Sequence, residues 1–223
     1  MAKKIIIDTD PGIDDAMAIL FALAASELEV VGITTIFGNV ETPLATHNAL
    51  HLLEFADKTH IPVAHGAERP LHVAFRGPAA FVHGTDGLGE TNQAPPTIKP
   101  IAQSAAQFIV ETIMAHPGEI TLVPVGPLTN IALALLLEPR IVQRVAAVVI
   151  MGGAATVNGN VNPAAEANIY HDPHAADLVF TAGWPLTMVG LDVTTKVIMD
   201  EPYLAALCTP GRKTGAYLYY IVR

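Results

Sequence analysis

Four aspartates lie within eight residues near the start of the chain, at Asp8, Asp10, Asp14 and Asp15. The apolar run Ile5–Ile7 precedes them and indicates that they follow a first β-strand. Carboxylates packed this closely repel one another unless a positive group lies among them. Carboxylate oxygens are also ligands that Ca²⁺ prefers. The cluster therefore predicts a site for a hard cation.

A simpler explanation exists for some of these aspartates. Asp14 and Asp15 fall in the first turn of a predicted helix, where an acidic side chain stabilises the helix dipole by about 0.3–1 kcal/mol. Asp10 is placed where it would cap a turn. Each explanation accounts for one or two carboxylates, but neither explains why they are packed so closely, so we favour the cation site.

Polar residues follow the other predicted strands as well. Gly38-Asn39 follows the second strand, Gly126-Pro127 a middle strand, Met151-Gly152-Gly153 the next, and Asp192 the last. The carboxyl ends of parallel strands share one edge of the sheet, where open α/β folds bind ligands. Residues far apart in the sequence are therefore expected to meet in one cleft.

Apolar runs typical of strands alternate with segments of helical periodicity. The predicted strands are Lys4–Asp8, Glu29–Thr35, Ile61–Ala64, Ile120–Val125, Val145–Met151 and Leu186–Leu191. The predicted helices are Asp14–Ala25, Thr42–Ala56, Ile101–Ala115, Leu128–Leu137 and Pro173–Ala182. Two predicted loops, 65–100 and 152–171, are rich in Gly, Pro and polar residues. This alternation predicts one α/β domain, 1–223, with an open, mainly parallel, Rossmann-like sheet, helices on both faces and the active site at the carboxyl-terminal edge of the strands.

The composition narrows the class of protein. The 223 residues are 51% hydrophobic, and the net charge is −9, from 12 Lys and Arg against 21 Asp and Glu. An acidic chain of this kind is a poor binder of nucleic-acid backbone or of an anionic membrane. The single cysteine, Cys208, has no internal disulfide partner. The apolar run at the N-terminus is too short for a signal peptide, and no apolar stretch is long enough to span a bilayer, so we expect a soluble, cytoplasmic protein.

The segment around the aspartates resembles the signature of the inosine–uridine-preferring nucleoside hydrolase family. It reads Asp8-Thr9-Asp10-Pro11-Gly12-Ile13-Asp14-Asp15-Ala16. Further motifs that match the family follow in order: Gly38-Asn39, His83-Gly84, Gly126-Pro127-Leu128-Thr129-Asn130, Met151-Gly152-Gly153, Ala165-Glu166-Ala167-Asn168-Ile169-Tyr170 and Gly190-Leu191-Asp192-Val193-Thr194. The resemblance thus extends from the first predicted strand to about residue 196.

The resemblance implies hydrolysis of the N-glycosidic bond of ribonucleosides with a tightly held Ca²⁺ as cofactor, and a role in purine or pyrimidine salvage. Asp10 and Asp15 would ligate the ion, together with the carbonyl oxygen of Val125. Asp10 would also be the general base for a water that Ca²⁺ activates, and Asp8 would orient its neighbours. The residues that would bind the ribose hydroxyls, with Met151 lining the sugar site, are Asp14, Asn39, Asn160, Glu166 and Asn168.

The chemistry of nucleoside cleavage suits these residue types. An oxocarbenium-like ribose develops in the transition state, and nearby carboxylates stabilise its positive charge. A metal and a carboxylate base together activate water, which is a weak nucleophile. His83, in the 65–100 loop, is a candidate to contact the leaving base, although a structural role is about as common for a lone loop histidine. The other eight histidines show no zinc-type spacing.

The chain departs from the family pattern at its carboxyl end. Relatives continue past residue 223 and carry a His-Asp pair whose aspartate completes the calcium shell, and in many members the histidine helps to protonate the base. No His-Asp pair follows Asp192 here. Reduced or absent turnover is therefore one expectation, and a non-catalytic ribose or nucleoside binder is an alternative function.

A phosphatase is a third hypothesis, with Asp8 and Asp10 as nucleophile and acid. It would need a phosphate-binding lysine and Mg²⁺, and the sequence offers no convincing context for either. The preference for purine or pyrimidine bases stays open, as does the identity of the general acid. Relatives are commonly dimers or tetramers, so we expect a homo-oligomer.

Overall fold

The computed structural model describes residues 2–208 and 213–222. Its strands are β1 (Lys3–Thr9), β2 (Leu28–Thr35), β3 (Val63–His65), β4 (Ile120–Pro124), β5 (Ala147–Met151) and β6 (Leu186–Val189). They lie in the order β3-β2-β1-β4-β5-β6, and every neighbouring pair in this sheet is parallel. The strand order reverses between β1 and β4, and open α/β sheets bind ligands in the crevice at such a point. The predicted fold class is confirmed.

Helices connect these strands and cover both faces of the sheet. They are α1 (Ile13–Ala24), α2 (Thr42–Phe55), α3 (Ala80–His83), α4 (Ala105–Ala115), α5 (Thr129–Leu137), α6 (Ala167–His171), α7 (Pro173–Thr181), α8 (Leu191–Thr194), α9 (Glu201–Leu207) and α10 (Lys213–Ile221), with a 3-10 helix at Pro139–Gln143. None of the helices within the described ranges has both the length and the apolar character needed to cross a membrane.

The central strand β1 shows how the core holds the site. Its side chains alternate, so that Ile6 packs into one cluster with α4, α5 and α7, whereas Ile5 and Ile7 face Ala22 of α1. The helices α2 and α10 pack beside α1 over β2 and β3. Burial on both faces explains why β1 is apolar as far as Asp8. The end of this strand is therefore fixed by packing from both sides.

The helix before β4 begins later than the periodicity predicts. Ser104 and Gln107 form a capping box, in which the Ser104 hydroxyl accepts from the Gln107 backbone and the Gln107 side chain accepts from the Ser104 backbone. This box starts α4 at Ala105. Ile101, where the predicted helix began, instead donates its backbone N–H to Val63 at the edge of the sheet.

Both predicted loops contain a short helix that the sequence pattern did not indicate. In the 152–171 loop, Glu166 accepts hydrogen bonds from the first turn of α6 and so starts that helix. In the 65–100 loop, α3 forms one turn that ends at His83 and Gly84, whose φ of 79° is favoured by glycine. Both helices lie next to predicted site residues.

Candidate active site

Asp10 lies directly after β1 and is 1% exposed. Its Oδ2 accepts a hydrogen bond from the backbone N–H of Asn39 at 2.6 Å, whereas its buried Oδ1 has no hydrogen-bond partner. Gly38 and Gly126 enclose this carboxylate, because a Cβ on either residue would collide with one of its oxygens. A buried carboxylate oxygen without a partner is costly, and a cation at this position would pair it.

Asp15 lies in the first turn of α1 and joins Asp10 through a shared neighbour. Its Oδ1 accepts from the Thr9 hydroxyl at 2.6 Å, and its Oδ2 accepts from the backbone N–H of Gly12 at 3.1 Å. The side-chain amide of Asn39 also donates to Oδ2 at 2.9 Å. Asn39 therefore holds both carboxylates, Asp10 through its backbone and Asp15 through its side chain.

The electrostatics of this pair disfavour the ionised form. Burial raises the pKa of Asp10 well above its usual range, and the charge of Asp15 raises it further. Burial, followed by the charge of Asp14, raises the pKa of Asp15 to about 7 against hydrogen bonds that lower it. A cation beside two carboxylates removes their repulsion and favours the ionised form. These oxygen donors therefore fit a hard ion such as Ca²⁺.

Asp8 is buried behind this pair, inside the sheet. Its Oδ1 accepts from the Thr34 hydroxyl at 2.5 Å and from the side-chain amide of Asn130 at 2.8 Å. Burial raises the pKa of Asp8 to about 7, and these two hydrogen bonds oppose the shift. Asn130 also donates to the Thr35 carbonyl at 2.9 Å, so it fixes the ends of β1 and β2 together. The sequence motif contained Asn130, but its hydrogen bonds to Asp8 and Thr35 were not predicted, since these partners lie far away in the chain.

Val125 follows β4 and connects the first strand to α6. Its backbone N–H donates to the Asp8 carbonyl at 2.8 Å. Its carbonyl accepts from the side-chain amide of Asn168 at 2.8 Å, and the same amide group donates to the Met151 carbonyl at 3.1 Å. A carbonyl oxygen has two lone pairs, so this hydrogen bond leaves the Val125 oxygen one further contact.

Glu166 is buried, and both oxygens of its carboxylate accept hydrogen bonds from the backbone. Oε1 accepts from the N–H of Asn168 at 3.0 Å, and Oε2 accepts from the N–H groups of Gly153 at 3.0 Å and Ile169 at 3.2 Å. Asn160 is exposed and accepts at its Oδ1 from the first residue of α6 at 3.0 Å. The start of α6 therefore gathers Asn160, Glu166 and Asn168 beside the end of β5.

Asp14 and His83 lie beside the loop that joins β1 to α1. Asp14 is exposed, whereas the His83 ring is buried and its Nδ1 accepts from the backbone N–H of Ile13 at 3.2 Å. Gly12 makes room for the ring, because a Cβ there would lie 2.6 Å from Nδ1. Burial lowers the pKa of His83, against the charge of Asp14. Burial thus favours the neutral ring, and a neutral ring whose Nδ1 accepts a hydrogen bond carries its proton on Nε2.

The predicted site residues thus lie in three places at the carboxyl edge of the sheet. Asp10, Asp15 and Asn39 form one group, Val125, Met151, Asn160, Glu166 and Asn168 form a second, and Asp14 and His83 lie beside the loop after β1. Within residues 2–208 and 213–222, no cluster of three or more His, Cys, Asp or Glu side chains has the arrangement of a metal site. The acidic groups that lie together at the candidate cation site are therefore the carboxylates of Asp10 and Asp15, which Asn39 connects.

Comparison with known proteins agrees with this geometry. The model of the inosine-uridine preferring nucleoside hydrolase family matches residues 5–223. The chain is 55% identical over 221 residues to a probable uridine nucleosidase of Arabidopsis thaliana, with 99% of this chain and 69% of the relative covered. It is 43% identical over 224 residues to the inosine-uridine preferring nucleoside hydrolase of Leishmania major, with 100% and 71% covered.

Solved structures give the same result. A plant nucleoside hydrolase superposes with a TM-score of 0.96 at 50% identity, and the match covers 99% of this chain and 70% of that one. The chain spans 61–69% of the length of four plant relatives that it matches. The order of the strands, the paired aspartates and these matches agree, and the chain belongs to the inosine–uridine-preferring nucleoside hydrolase family.

Proposed function

We propose that this chain binds Ca²⁺ through Asp10, Asp15 and the carbonyl oxygen of Val125, and hydrolyses the N-glycosidic bond of ribonucleosides. The observation that carries the proposal is the buried Oδ1 of Asp10, which has no hydrogen-bond partner and lies in a pair of carboxylates with raised pKa values. A cation supplies both the missing partner and the missing positive charge. Membership of the family supports the reaction.

Asp10 is proposed as the general base. When bound, the ion would supply a Lewis acid that orients water and makes it more acidic. A carboxylate accepts a proton only in its ionised form, and a neighbouring cation favours that form. The Asn39 backbone and the two enclosing glycines restrict the Asp10 side chain, so the base keeps a fixed position toward the attacking water.

The ribose is proposed to lie between the side of the site formed by the start of α1 and the side formed by the start of α6. Asn39 and Asp14 would bind it from the side of α1, and Asn160, Glu166 and Asn168 from the side of α6, with Met151 beneath the sugar. An ionised carboxylate has about four lone-pair positions, so Glu166 can accept from a ribose hydroxyl in addition to its three backbone donors. The acidic surroundings would stabilise the positive charge that develops on the sugar.

His83 is proposed to face the leaving base. Its Nδ1 is occupied by the Ile13 N–H, so Nε2–H is the group that remains to contact a base atom. The names of the matched relatives suggest the substrates for a first assay, since these include uridine nucleosidases and inosine-uridine preferring hydrolases. We also propose a homo-oligomer, dimer or tetramer, which light scattering of the purified chain would test.

A ribose or nucleoside binder without turnover is the second candidate. The observation that favours it is that the described residues provide two carboxylates and no third acidic or imidazole ligand. Calcium affinity falls with the charge and number of ligands. A weakly held ion would activate water poorly while the ribose contacts persist.

One pair of measurements separates the two functions. Calorimetric titration of the purified chain with Ca²⁺, and then with ribose, measures binding, and incubation with uridine or inosine measures release of the base. Ca²⁺ binding together with base release is the expected result. Binding of Ca²⁺ and ribose without product would establish the binder, and a chain that binds no Ca²⁺ would contradict the proposed site.

A further inference from the structure

Asn48 is a buried polar residue of α2, and none of the roles described above involves it. Its side chain is 2% exposed, and neighbours such as Ala45, Ala49 and Leu52 belong to the apolar core. Its Nδ2 donates to two backbone carbonyls, those of Pro11 at 3.1 Å and Asp86 at 2.9 Å. A buried amide is stable only when it is paired, and here both partners lie in loops at the candidate active site.

The first partner lies in the loop that connects the two proposed metal ligands. Pro11 follows Asp10 directly, and Asp15 lies four residues further on. Proline has no backbone N–H, so its carbonyl is the only backbone hydrogen-bonding group that the residue offers. The bond from Asn48 therefore restrains the path of residues 10–15, which we call the aspartate loop.

The second partner lies in the segment that follows His83. Within residues 83–92, which we call the histidine loop, the Asp86 carboxylate accepts from the backbone N–H groups of Leu88, Glu90 and Asn92 at 2.8–2.9 Å. These three hydrogen bonds hold the segment together, and the bond from Asn48 to the Asp86 carbonyl attaches it to α2.

The two loops approach each other so closely that glycine is needed between them. Gly87 has a φ of 76°, and a Cβ on it would lie 2.8 Å from the Asn48 Nδ2 and 3.2 Å from the Pro11 carbonyl. The His83 ring bridges the same two loops from the other side, through its bond from Ile13. The loops are thus joined at two points, and Asn48 is the one that is anchored in the core.

We propose that Asn48 is a positioning residue, which holds the aspartate loop against the histidine loop and so fixes Asp10 and Asp15 relative to His83. The inference rests on the proposed function, since it assigns a role toward the Ca²⁺ site. Asn48 acts through the Pro11 carbonyl and the Asp86 carbonyl and touches neither the ion nor the substrate. Removing such an outer support changes metal affinity by about 10–100-fold in metal sites generally.

Two variants disrupt the contact of Asn48 with the two loops, which we call the joint, in different ways. Asn48→Leu keeps a similar volume but removes the donor, so that both carbonyls lose a partner. Gly87→Ala leaves Asn48 intact and forces the joint apart from the loop side. The control is Ile113→Ala, a fully buried residue of α4 on the opposite face of the sheet, which lowers stability by leaving a cavity.

Hydrogen exchange measures the joint without Ca²⁺, and calorimetry measures Ca²⁺ affinity. We expect N48L and G87A to raise exchange in residues 9–13 and 84–89 together and to weaken Ca²⁺ binding about tenfold. I113A should lower the melting temperature and leave both quantities unchanged. Unaltered exchange in N48L and G87A, or an equal loss of Ca²⁺ affinity in I113A, would overturn the role of Asn48.

The two proposals fail in distinguishable ways. If the unaltered chain binds no Ca²⁺, the proposed cation site fails. Hydrogen exchange then decides alone whether Asn48 connects the two loops, since both should exchange faster together in N48L. If N48L does not fold, G87A still tests the joint. If the chain binds Ca²⁺ and N48L opens the loops with full affinity, the cation site stands and the positioning role is wrong.

Discussion

Asp10 and Glu166 are equally hidden from solvent at the same edge of the sheet, yet their oxygens are paired in different ways. Glu166 is 2% exposed, and three backbone N–H groups donate to its carboxylate. Asp10 is 1% exposed, receives one backbone N–H, and keeps one oxygen without a partner beside another carboxylate. Backbone amides stabilise a buried negative charge, so Glu166 needs no ion. Asp10 lacks this support, which is why we assign the cation to its side of the site.

This difference divides the site by function. The α6 side has a structure that its own hydrogen bonds maintain, which suits the role in sugar binding that we propose for it. The Asp10 side stores repulsion between carboxylates that a bound cation would relieve. A substitution on the Asp10 side should therefore lower metal affinity without lowering stability. A substitution on the α6 side should lower stability and leave metal affinity unchanged.

The largest effect is expected from Asp10→Asn. The asparagine keeps an oxygen for the Asn39 N–H but loses the charge and the base, so hydrolysis of uridine should fall by about 10²–10⁴-fold and Ca²⁺ binding should be lost. The metal-free variant should be at least as stable as the unaltered chain, since a buried carboxylate is removed. Steady-state kinetics, calorimetry and urea unfolding measure the three quantities. Activity unchanged by the substitution would remove Asp10 from the mechanism.

Glu166→Gln should show the reverse pattern. The glutamine amide group points a donor at backbone donors, which leaves at least one buried N–H unpaired at a cost of about 1–3 kcal/mol. We expect a lower free energy of unfolding in urea and a Ca²⁺ affinity close to that of the unaltered chain. Equal stability of E166Q and the unaltered chain would mean that the contrast with Asp10 is wrong.

Stability should also depend on pH in a way that Ca²⁺ reverses. Burial raises the pKa of Asp8 and Asp15 to about 7 from the usual value of 3.8. A raised pKa in the folded state gives stability that is present below about pH 4 and is lost as the pH rises through about 7. These groups should therefore make the metal-free chain less stable at pH 8 than at pH 5.5.

Ca²⁺ favours the ionised carboxylates, so it should raise the melting temperature more at pH 8 than at pH 5.5. Thermal unfolding with Ca²⁺ and with EDTA at both pH values measures this difference. D10N is the control, because it lacks one of the two proposed carboxylate ligands and should lose the Ca²⁺-dependent shift. A Ca²⁺ effect that is larger at pH 5.5 would contradict the assignment of these carboxylates to the ion.

The same contrast explains what the sequence could predict. The apolar runs predicted all six strands, because strands buried on both faces leave a continuous apolar signal. The crowding of Asp10 and Asp15 was also visible, since both lie in one short segment. The start of α6 was not visible in the sequence, because Glu166 accepts a hydrogen bond from the Gly153 N–H at the other end of the loop.

Two buried asparagine side chains show why the rest of the site could not be predicted from the sequence. Asn130 pairs with Asp8 across 122 residues, and Asn48 pairs with Pro11 across 37. Neither pairing leaves a periodic or local signal, because it depends on how strands and helices pack rather than on spacing along the chain. Sequence motifs identified the charged groups and Asn39, whereas the pairings of Asn130 and Asn48 became visible in the folded structure.

The smallest effect is expected from Asp192→Asn. This variant tests whether the Asp192 carboxylate is stabilised by its own hydrogen bonds, as Glu166 is, or helps to bind the cation, as we propose for Asp10. The Thr156 hydroxyl and the backbone N–H groups of Ala155 and Thr156 lower the pKa of Asp192 to about 2. The carboxylate therefore stabilises this loop above about pH 4, and the effect is lost as the pH falls toward 2. At pH 7, the backbone amides of Ala155 and Thr156 should exchange with solvent faster in D192N than in the unaltered chain. The Ca²⁺ affinity of the two proteins should be equal. Weaker Ca²⁺ binding by D192N would instead place Asp192 with Asp10 and give the cation site its third carboxylate.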